Sequence, residues 1–166
     1  QAVLDAGLRI GSVDLPNNKG VISPDKNTRE ASLAANAEFI RKCAHLGQVN
    51  YFLVMRPEKP ELPRAENFGY MVESFRQLAP VLEENNARLV IEGWPGPGAL
   101  CCTPESYRAF FEQIPSPAMG VNYDPSHLVR MGIDYLRFLN EFGGRVYHVH
   151  GKDTELLAEG LYEYGA

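Results

Sequence analysis

Residues 121–128, "VNYDPSHL", contain the pattern on which the interpretation of the fold depends. A short apolar run of the kind that forms a buried strand ends in an aspartate, and a histidine follows three residues later. Asp124 precedes a proline, which disfavours helix at the preceding residue and is equally compatible with an ordinary turn. The stretch therefore leaves two interpretations open: a simple turn, or a strand that carries a functional aspartate to the edge of a sheet.

The composition is that of a globular domain with one substantial core. The chain has 166 residues, of which 45% are hydrophobic and 22% charged, and its net charge is −5. This acidic balance, without a stripe of lysine and arginine, argues against nucleic acid as a partner. No apolar run has the roughly 18 residues of a membrane span, and no secretory leader is recognisable. Three cysteines without a disulfide or metal-binding pattern favour a cytoplasmic protein.

Short β-rich runs alternate with helical stretches along the whole chain. The β-rich runs begin near residues 8, 49, 87, 119 and 146, and the stretches between them carry apolar residues every three or four positions. This alternation is typical of an α/β fold with a parallel sheet, here treated as one domain over residues 1–166. Two architectures agree with it: a five-stranded, flavodoxin-like open sheet, and part of an eight-stranded TIM barrel, which typically needs about 250 residues.

The same pattern predicts several local features of the helices. Thr28 is expected to cap the first long helix, and Gly47 to follow its end. Pro80 is expected to kink or divide the next helix, and Thr103 to cap the helix after that. In the helix predicted over residues 133–142, Leu136 is expected on the buried face.

Three of the predicted strands end in a side chain that can bind a metal ion: Glu92, Asp124 and His150. The carboxyl ends of parallel strands are where α/β proteins build their sites. Because alternate residues of a strand share a face, these side chains can point at one spot. Two carboxylates and one imidazole suit Mn²⁺, Mg²⁺ or Co²⁺. The alternative is three unrelated polar residues at strand ends.

Further candidates follow the strand ends or lie close to them in sequence. His127, in the predicted loop after the strand-end aspartate, can contact a substrate, or it can be a surface or helix-capping histidine. Trp94, the only tryptophan, can form the wall of a sugar site or pack in the core. His148 is predicted to make an interior hydrogen bond. The adjacent Cys101 and Cys102 are weak candidates for a nucleophile.

Three longer segments resemble the sugar phosphate isomerase/epimerase family, the xylose isomerase-like TIM barrels. They are "VIEGWPGPG" at 90–98, "GVNYDPSHLVRMGIDYLRFLNEF" at 120–142 and "RVYHVHGKDTE" at 145–155. The resemblance runs from about residue 8 to residue 165, and the second and third segments, in that order and spacing, are the most specific. It implies a TIM barrel and a metal-dependent isomerase or epimerase that acts on a small sugar or sugar derivative through an enediolate intermediate.

The resemblance also implies roles for individual residues. Three positions match the metal ligands of the family, namely Glu92, Asp124 and His150. Glu92 would also move the proton, and His127 matches a histidine that contacts the substrate. Lys152 and Asp153 match residues near the site. Mn²⁺ is the expected ion, with Mg²⁺, Co²⁺ and Zn²⁺ as alternatives.

The chain also departs from the family pattern. The family's fourth ligand is a glutamate on the last strand, and the chain stops before such a strand; its opening, "QAVLDAGL", is similar to the end of a first helix. We therefore expect strands two to six of an incomplete barrel with two unpaired edges, which is compatible with a homo-oligomer. The alternatives are a dehydratase of inositol-like or shikimate-like substrates, a DNA-repair barrel of the endonuclease IV type, and a non-catalytic or degenerate sugar-binding member.

Overall fold

A parallel sheet with sequential strand order forms the centre of the molecule. The computed structural model describes residues 2–96 and 98–164. Within these residues the strands are β1 (Val13–Asp14), β2 (Asn50–Val54), β3 (Arg88–Glu92), β4 (Met119–Tyr123) and β5 (Val146–Val149). Each strand pairs in parallel with the next along the chain. A flavodoxin-like sheet reverses its strand order near the first strand, whereas a barrel wall does not, so the sheet is an open part of a TIM barrel.

Helices follow most strands and cover one face of the sheet. They are α1 (Ala2–Asp5), α2 (Lys26–Cys43), α3 (Arg64–Glu84), α4 (Pro104–Gln113), α5 (Pro125–Arg130), α6 (Tyr135–Phe142) and α7 (Ala158–Tyr164). Single turns of 3₁₀ helix lie at Gly20–Ile22, Ala44–Leu46 and Gly143–Arg145. Among the described residues, no helix is both long enough and apolar enough to cross a membrane.

The main core lies between the sheet and the helices. Alternate strand residues enter it, namely Tyr51, Leu53, Leu89, Ile91, Met119 and Val121. They meet apolar side chains of α2, α3, α4 and α6, among them Ile40, Phe75, Phe110 and Phe138. Full burial of one such side chain contributes about 1.5–3 kcal/mol to the free energy of unfolding. This layer therefore fixes which face of each strand points away from the helices.

The opposite face of the sheet lines the interior of the barrel. Within β2, Tyr51 and Leu53 are buried on the helix side, while Phe52 is half-buried. Phe52 points into the interior, where its ring centre lies 5.4 Å from that of His150. Because strands line this interior on one side only, residues that point into it remain partly exposed.

The interior is filled by side chains near the amino ends of the strands. Arg88 stacks over the ring of Tyr147 at 4.0 Å, and Asn50 Nδ2 donates to Tyr147 O at 3.2 Å. The sheet therefore curves enough for β2 to contact β5. The pairing of β4 with β5 shifts register between Val121 and Asn122, and Tyr147 lies over Gly120. A Cβ atom at Gly120 would overlap the Tyr147 ring, so only glycine fits there.

The helix boundaries confirm some local predictions and correct others. Gly47 follows the end of the first long helix and its 3₁₀ turn with a φ of 84°, as expected. The cap of α2 is Asp25, whose Oδ1 accepts from Thr28 N at 2.7 Å, so the prediction that Thr28 caps this helix was wrong. Thr103 caps α4, as predicted, in a reciprocal arrangement with Ser106.

Other local features differ from the prediction or narrow it. Pro80 does not divide helix α3, which continues through it, because a proline removes only one N–H and the flanking apolar contacts hold the remaining turns. In α6, Leu136 is 57% exposed, and Phe138 and Phe142 fill the inner face. The first β-rich run was expected to begin near residue 8, but β1 covers only Val13–Asp14, because only these two residues pair with β2.

Candidate active site

The predicted strand-end side chains meet at the carboxyl edge of the sheet. Glu92 is the last residue of β3, Asp124 directly follows β4 and His150 directly follows β5. Both carboxylates are buried, at 7% and 4% exposure. His150 Nδ1 donates to Glu92 Oε1 at 2.8 Å and lies 3.8 Å from Asp124 Oδ2. The structure therefore brings two carboxylates and an imidazole to one spot.

His127 reaches the same spot from a helix rather than from a loop. Asp124 Oδ1 accepts from Ser126 N at 3.1 Å, and Pro125 occupies the first position of α5. Aspartate as cap followed by proline is a favourable start for a helix, so the expected loop was wrong. The first turn of α5 points His127 back, with Nε2 3.5 Å from Asp124 Oδ2 and 3.6 Å from Glu92 Oε1.

These side chains fit a divalent cation. Ligand atoms of Glu92, Asp124 and His127 all lie within 4.8 Å of one another. Asp124 Oδ2 is buried and accepts no hydrogen bond of regular geometry, and its closest cation is the Lys152 ammonium, 2.5 Å away. Two buried carboxylates are costly without positive charge nearby. The donor set therefore matches a hard or borderline divalent ion, with the His127 imidazole as the nitrogen ligand of this group.

Asp124 is ionised at neutral pH despite its burial. Burial by itself would raise its pKa, but the contact with Lys152 and the hydrogen bond from Ser126 outweigh that effect and hold the pKa below its ordinary value. Lys152 belongs to the stretch after β5 and is itself about half exposed. Asp153, which the family resemblance also placed near the site, is exposed and has no described contact with these residues.

Asn122 joins His148 of β5 to Glu92 and also contacts His150, and sequence reasoning missed this role. It is 1% exposed, and its Oδ1 accepts from His148 Nδ1 at 2.7 Å. Its Nδ2 lies 3.0 Å from His150 Nδ1 and 3.4 Å from Glu92 Oε1. Burial, and to a smaller degree His150, lowers the pKa of His148. A polar residue two positions before Asp124, in an otherwise apolar strand, was the available signal.

A cavity of about 570 Å³ opens beside Glu92. Its lining includes Phe52 and Trp94, together with polar side chains from the loops after β1 and β2. The guanidinium of Arg56 lies over the indole of Trp94, 5.2 Å from the ring centre. Gly96 leaves room for this indole, since a Cβ atom there would overlap it. Trp94 therefore forms part of the wall of a cavity large enough for a small molecule.

The two adjacent cysteines lack the features of a nucleophile. Cys101 is buried, with Sγ 3.9 Å from Met71 Sδ, and Cys102 is half-buried, with Sγ 3.9 Å from Ala99 O. Burial raises the pKa of both thiols. A raised pKa keeps them protonated at neutral pH, when the thiolate is the reactive form.

Comparison of the sequence with known protein families agrees with the fold and the site. The model of the xylose isomerase-like TIM barrel family matches residues 1–160. The chain therefore belongs to this family, and its fold is like that of sugar epimerases and isomerases. One curated relative is the inosose dehydratase of Geobacillus thermodenitrificans (strain NG80-2), which is 28% identical over 91 residues, 55% of this chain and 30% of the relative.

Solved structures of similar fold include sugar epimerases. A D-tagatose 3-epimerase-like protein has a TM-score of 0.74 and 19% identity, with 93% of this chain covering 60% of that one. The IOLI protein, solved with a binding zinc atom, has a TM-score of 0.67 and 15% identity, with 90% of this chain covering 53% of that one. The chain thus spans between half and two thirds of the length of these two structures.

Proposed function

We propose that this chain carries the metal-binding part of a divalent-metal-dependent sugar isomerase or epimerase. The observation that supports this proposal most directly is the cluster of two buried carboxylates and two imidazoles at the carboxyl edge of the sheet. In a TIM barrel this edge is where catalytic residues lie. The substrate would be a small sugar or sugar derivative, and the D-tagatose 3-epimerase-like structure supports that class.

The proposed ligands are Glu92 and Asp124 with His150, while His127 either completes the set or contacts the substrate. Mn²⁺ is the expected ion, and the zinc bound by the IOLI protein makes Zn²⁺ the main alternative. A divalent ion held here would supply a Lewis acid that polarises the substrate carbonyl. The free thiols agree with a reducing compartment such as the cytoplasm.

The residues of the chain divide the remaining work of the reaction. Glu92 lines the cavity and would take a proton from the carbon next to the carbonyl. In an isomerase it would deliver the proton to the former carbonyl carbon, and in an epimerase a second acid would deliver a proton to the opposite face of the same carbon. His127, near both carboxylates, and Lys152, in contact with Asp124, would hold the substrate oxygens and stabilise the negative charge that develops on them. Trp94 and Phe52 would exclude water from one side of the sugar.

Glu92→Gln tests the proposed proton transfer. It keeps the size of the side chain but removes the base, so turnover of ketose substrates should fall by about 100-fold or more. Turnover is followed by NMR in heavy water, where deuterium should enter the carbon next to the carbonyl in the wild type. Glu84→Gln, an exposed change at the end of α3, is the matched control. Full turnover by Glu92→Gln would refute the assignment.

A second function shares the first step with this one. The inosose dehydratase relative supports a dehydratase, in which removal of the proton is followed by loss of a hydroxyl group. The products separate the two reactions, because dehydration gives a new unsaturated or keto chromophore and epimerisation gives none.

Asp124→Asn tests metal binding, which either reaction requires. The affinity for Mn²⁺, measured by equilibrium dialysis, should be at least about tenfold weaker than that of the wild type.

A further inference from the structure

Two positively charged side chains that line the cavity have no role in the mechanism proposed above. Lys19 follows β1 and Arg56 follows β2, and both line the cavity that contains Glu92 and Trp94. Neither has a carboxylate within ion-pair distance among the described residues, including Asp14, which lines the same cavity. Elsewhere in the described chain, several lysines and arginines do pair with acids, as Arg29 does with Glu73.

The two loops that carry these cations are held together. Glu58 N donates to Ile22 O at 3.2 Å, which joins the loop after β2 to the loop after β1. Ile22 is fully buried, so the first loop is anchored in the core. Arg56 is fixed further by its own N–H, which donates to Val54 O at 2.9 Å, and by its contact with Trp94. The two positive charges therefore belong to one preorganised wall rather than to two independent loops.

The other groups of this wall suit a sugar. An indole face packs against the apolar side of a sugar ring, and a carboxylate such as Asp14 accepts hydrogen bonds from hydroxyl groups. An ammonium and a guanidinium without acidic partners recognise an anionic group, and arginine binds phosphate or carboxylate with two parallel hydrogen bonds. In a chain with a net charge of −5, two such cations in one cavity favour an anionic part of the ligand.

We propose that Lys19 and Arg56 form a subsite for an anionic substituent of the sugar, either a phosphate ester or a carboxylate. This inference rests on the proposed function for its sugar, and it narrows the substrate class to acidic or phosphorylated sugars. The anionic group would bind between the loops after β1 and β2, while the reacting carbons lie toward Glu92. Lys19 and Arg56 therefore determine specificity and take no part in the proton transfer.

The test uses Trp94 as an internal probe, because it is the only tryptophan and lies on this wall. Inorganic phosphate should give a saturable change in tryptophan fluorescence, and chloride at matched ionic strength should give none. Lys19→Gln should weaken phosphate binding by about tenfold. Arg56→Gln should do the same, measured by calorimetry because Arg56 touches the fluorophore. Lys42→Gln, which removes an exposed cation from α2, is the matched control.

Competition separates the two sources of the negative charge. Fructose 6-phosphate, glucuronate and fructose are each used to displace phosphate from the wild type. Tighter displacement by fructose 6-phosphate supports a phosphorylated substrate, and tighter displacement by glucuronate supports a sugar acid. Equal displacement by neutral fructose, or phosphate binding unchanged in both Gln variants, would overturn the proposal.

The outcome is independent of the proposed function, because phosphate binding needs neither turnover nor metal. If phosphate binding depends on Lys19 and Arg56 but no sugar is converted, the isomerase or epimerase assignment fails and the subsite stands. If Glu92→Gln abolishes turnover while the Lys19 and Arg56 variants bind phosphate normally, the subsite fails and the function stands.

Discussion

Asn122 joins His148 to Glu92 and also contacts His150. Its amide oxygen accepts from His148, which leaves its nitrogen directed at His150 and Glu92. A buried amide in such a position sets the orientation of the side chains around it without touching the substrate. Asn122 is therefore a positioning residue, and its effect should appear in metal binding as well as in turnover.

Asn122→Ala tests this role at the scale of one residue. The change leaves the half-buried His148 N–H without its acceptor, so the free energy of unfolding should fall by about 0.5–1.5 kcal/mol. Mn²⁺ binding, measured by equilibrium dialysis on the folded variant, should weaken by about 10- to 100-fold, because Glu92 and His150 lose their orientation. Asn140→Ala, at an exposed position of α6, should change neither quantity. Normal Mn²⁺ affinity in the destabilised variant would indicate a purely structural role.

Asp25 gives a prediction about pH. The hydrogen bond from the Thr28 N–H lowers the pKa of Asp25 below its ordinary value of 3.8, because the cap favours the ionised form. The stabilisation is therefore fully present above pH 3.8 and is lost as the pH falls through the lowered pKa of the folded state. Asp25→Ala should lower the urea midpoint at pH 7, and its difference from the wild type should shrink in acid. Asp25→Asn keeps a cap that does not titrate, so the difference in urea midpoint between Asp25→Asn and Asp25→Ala should not depend on pH.

The residue scale also shows what sequence patterns can and cannot predict. The strand ends at Glu92, Asp124 and His150 followed from apolar runs that stop at a polar residue. The helix that carries His127 was missed, because Asp-Pro begins a turn as readily as a helix until the following residues are paired. Asn122 was missed because an amide in a strand gives no sign of its partners on the neighbouring strands.

At the scale of elements, the junction of β4 and β5 depends on the close approach of the Tyr147 ring to Gly120. Tyr147 occupies the register shift between these strands, lies over Gly120 and donates to Pro117 O at 3.0 Å. The same junction sets the position of His148 and His150, which follow directly. The packing of Gly120 against Tyr147 therefore supports the site from below, although neither residue reaches it.

Gly120→Ala tests this packing. The added methyl group would overlap the Tyr147 ring and lie 2.7 Å from Arg145 O, so the strands must separate. Overpacking of this kind typically lowers the free energy of unfolding by about 1–3 kcal/mol, to be measured by urea denaturation. Gly143→Ala, where a Cβ atom meets nothing within 4 Å, should stay within about 0.5 kcal/mol of the wild type. Equal stability of the two variants would contradict the packing argument.

At the scale of the whole molecule, the alternation of strands and helices predicted the α/β class but left two architectures open. The sequential order of β1 to β5 and the family match decide in favour of the barrel. The cavity wall was beyond prediction from the sequence. Lys19 and Arg56 are 37 positions apart, and they face one cavity because β1 pairs with β2 and a main-chain hydrogen bond joins the loops that follow these strands. Contacts of this kind depend on the folded chain rather than on local pattern.

The sequential strand order has a consequence for synthesis on the ribosome. Within the described residues each strand from β2 to β5 pairs with the strand made immediately before it, so the sheet can grow by one strand and one helix at a time. During synthesis the amino-terminal strands leave the ribosome before the later ones. The ligands then arrive in the order Glu92, Asp124 with His127, and finally His150. A nascent chain halted before β5 would hold its two carboxylates without His150 or Lys152, so the cluster closes only with the last strand described.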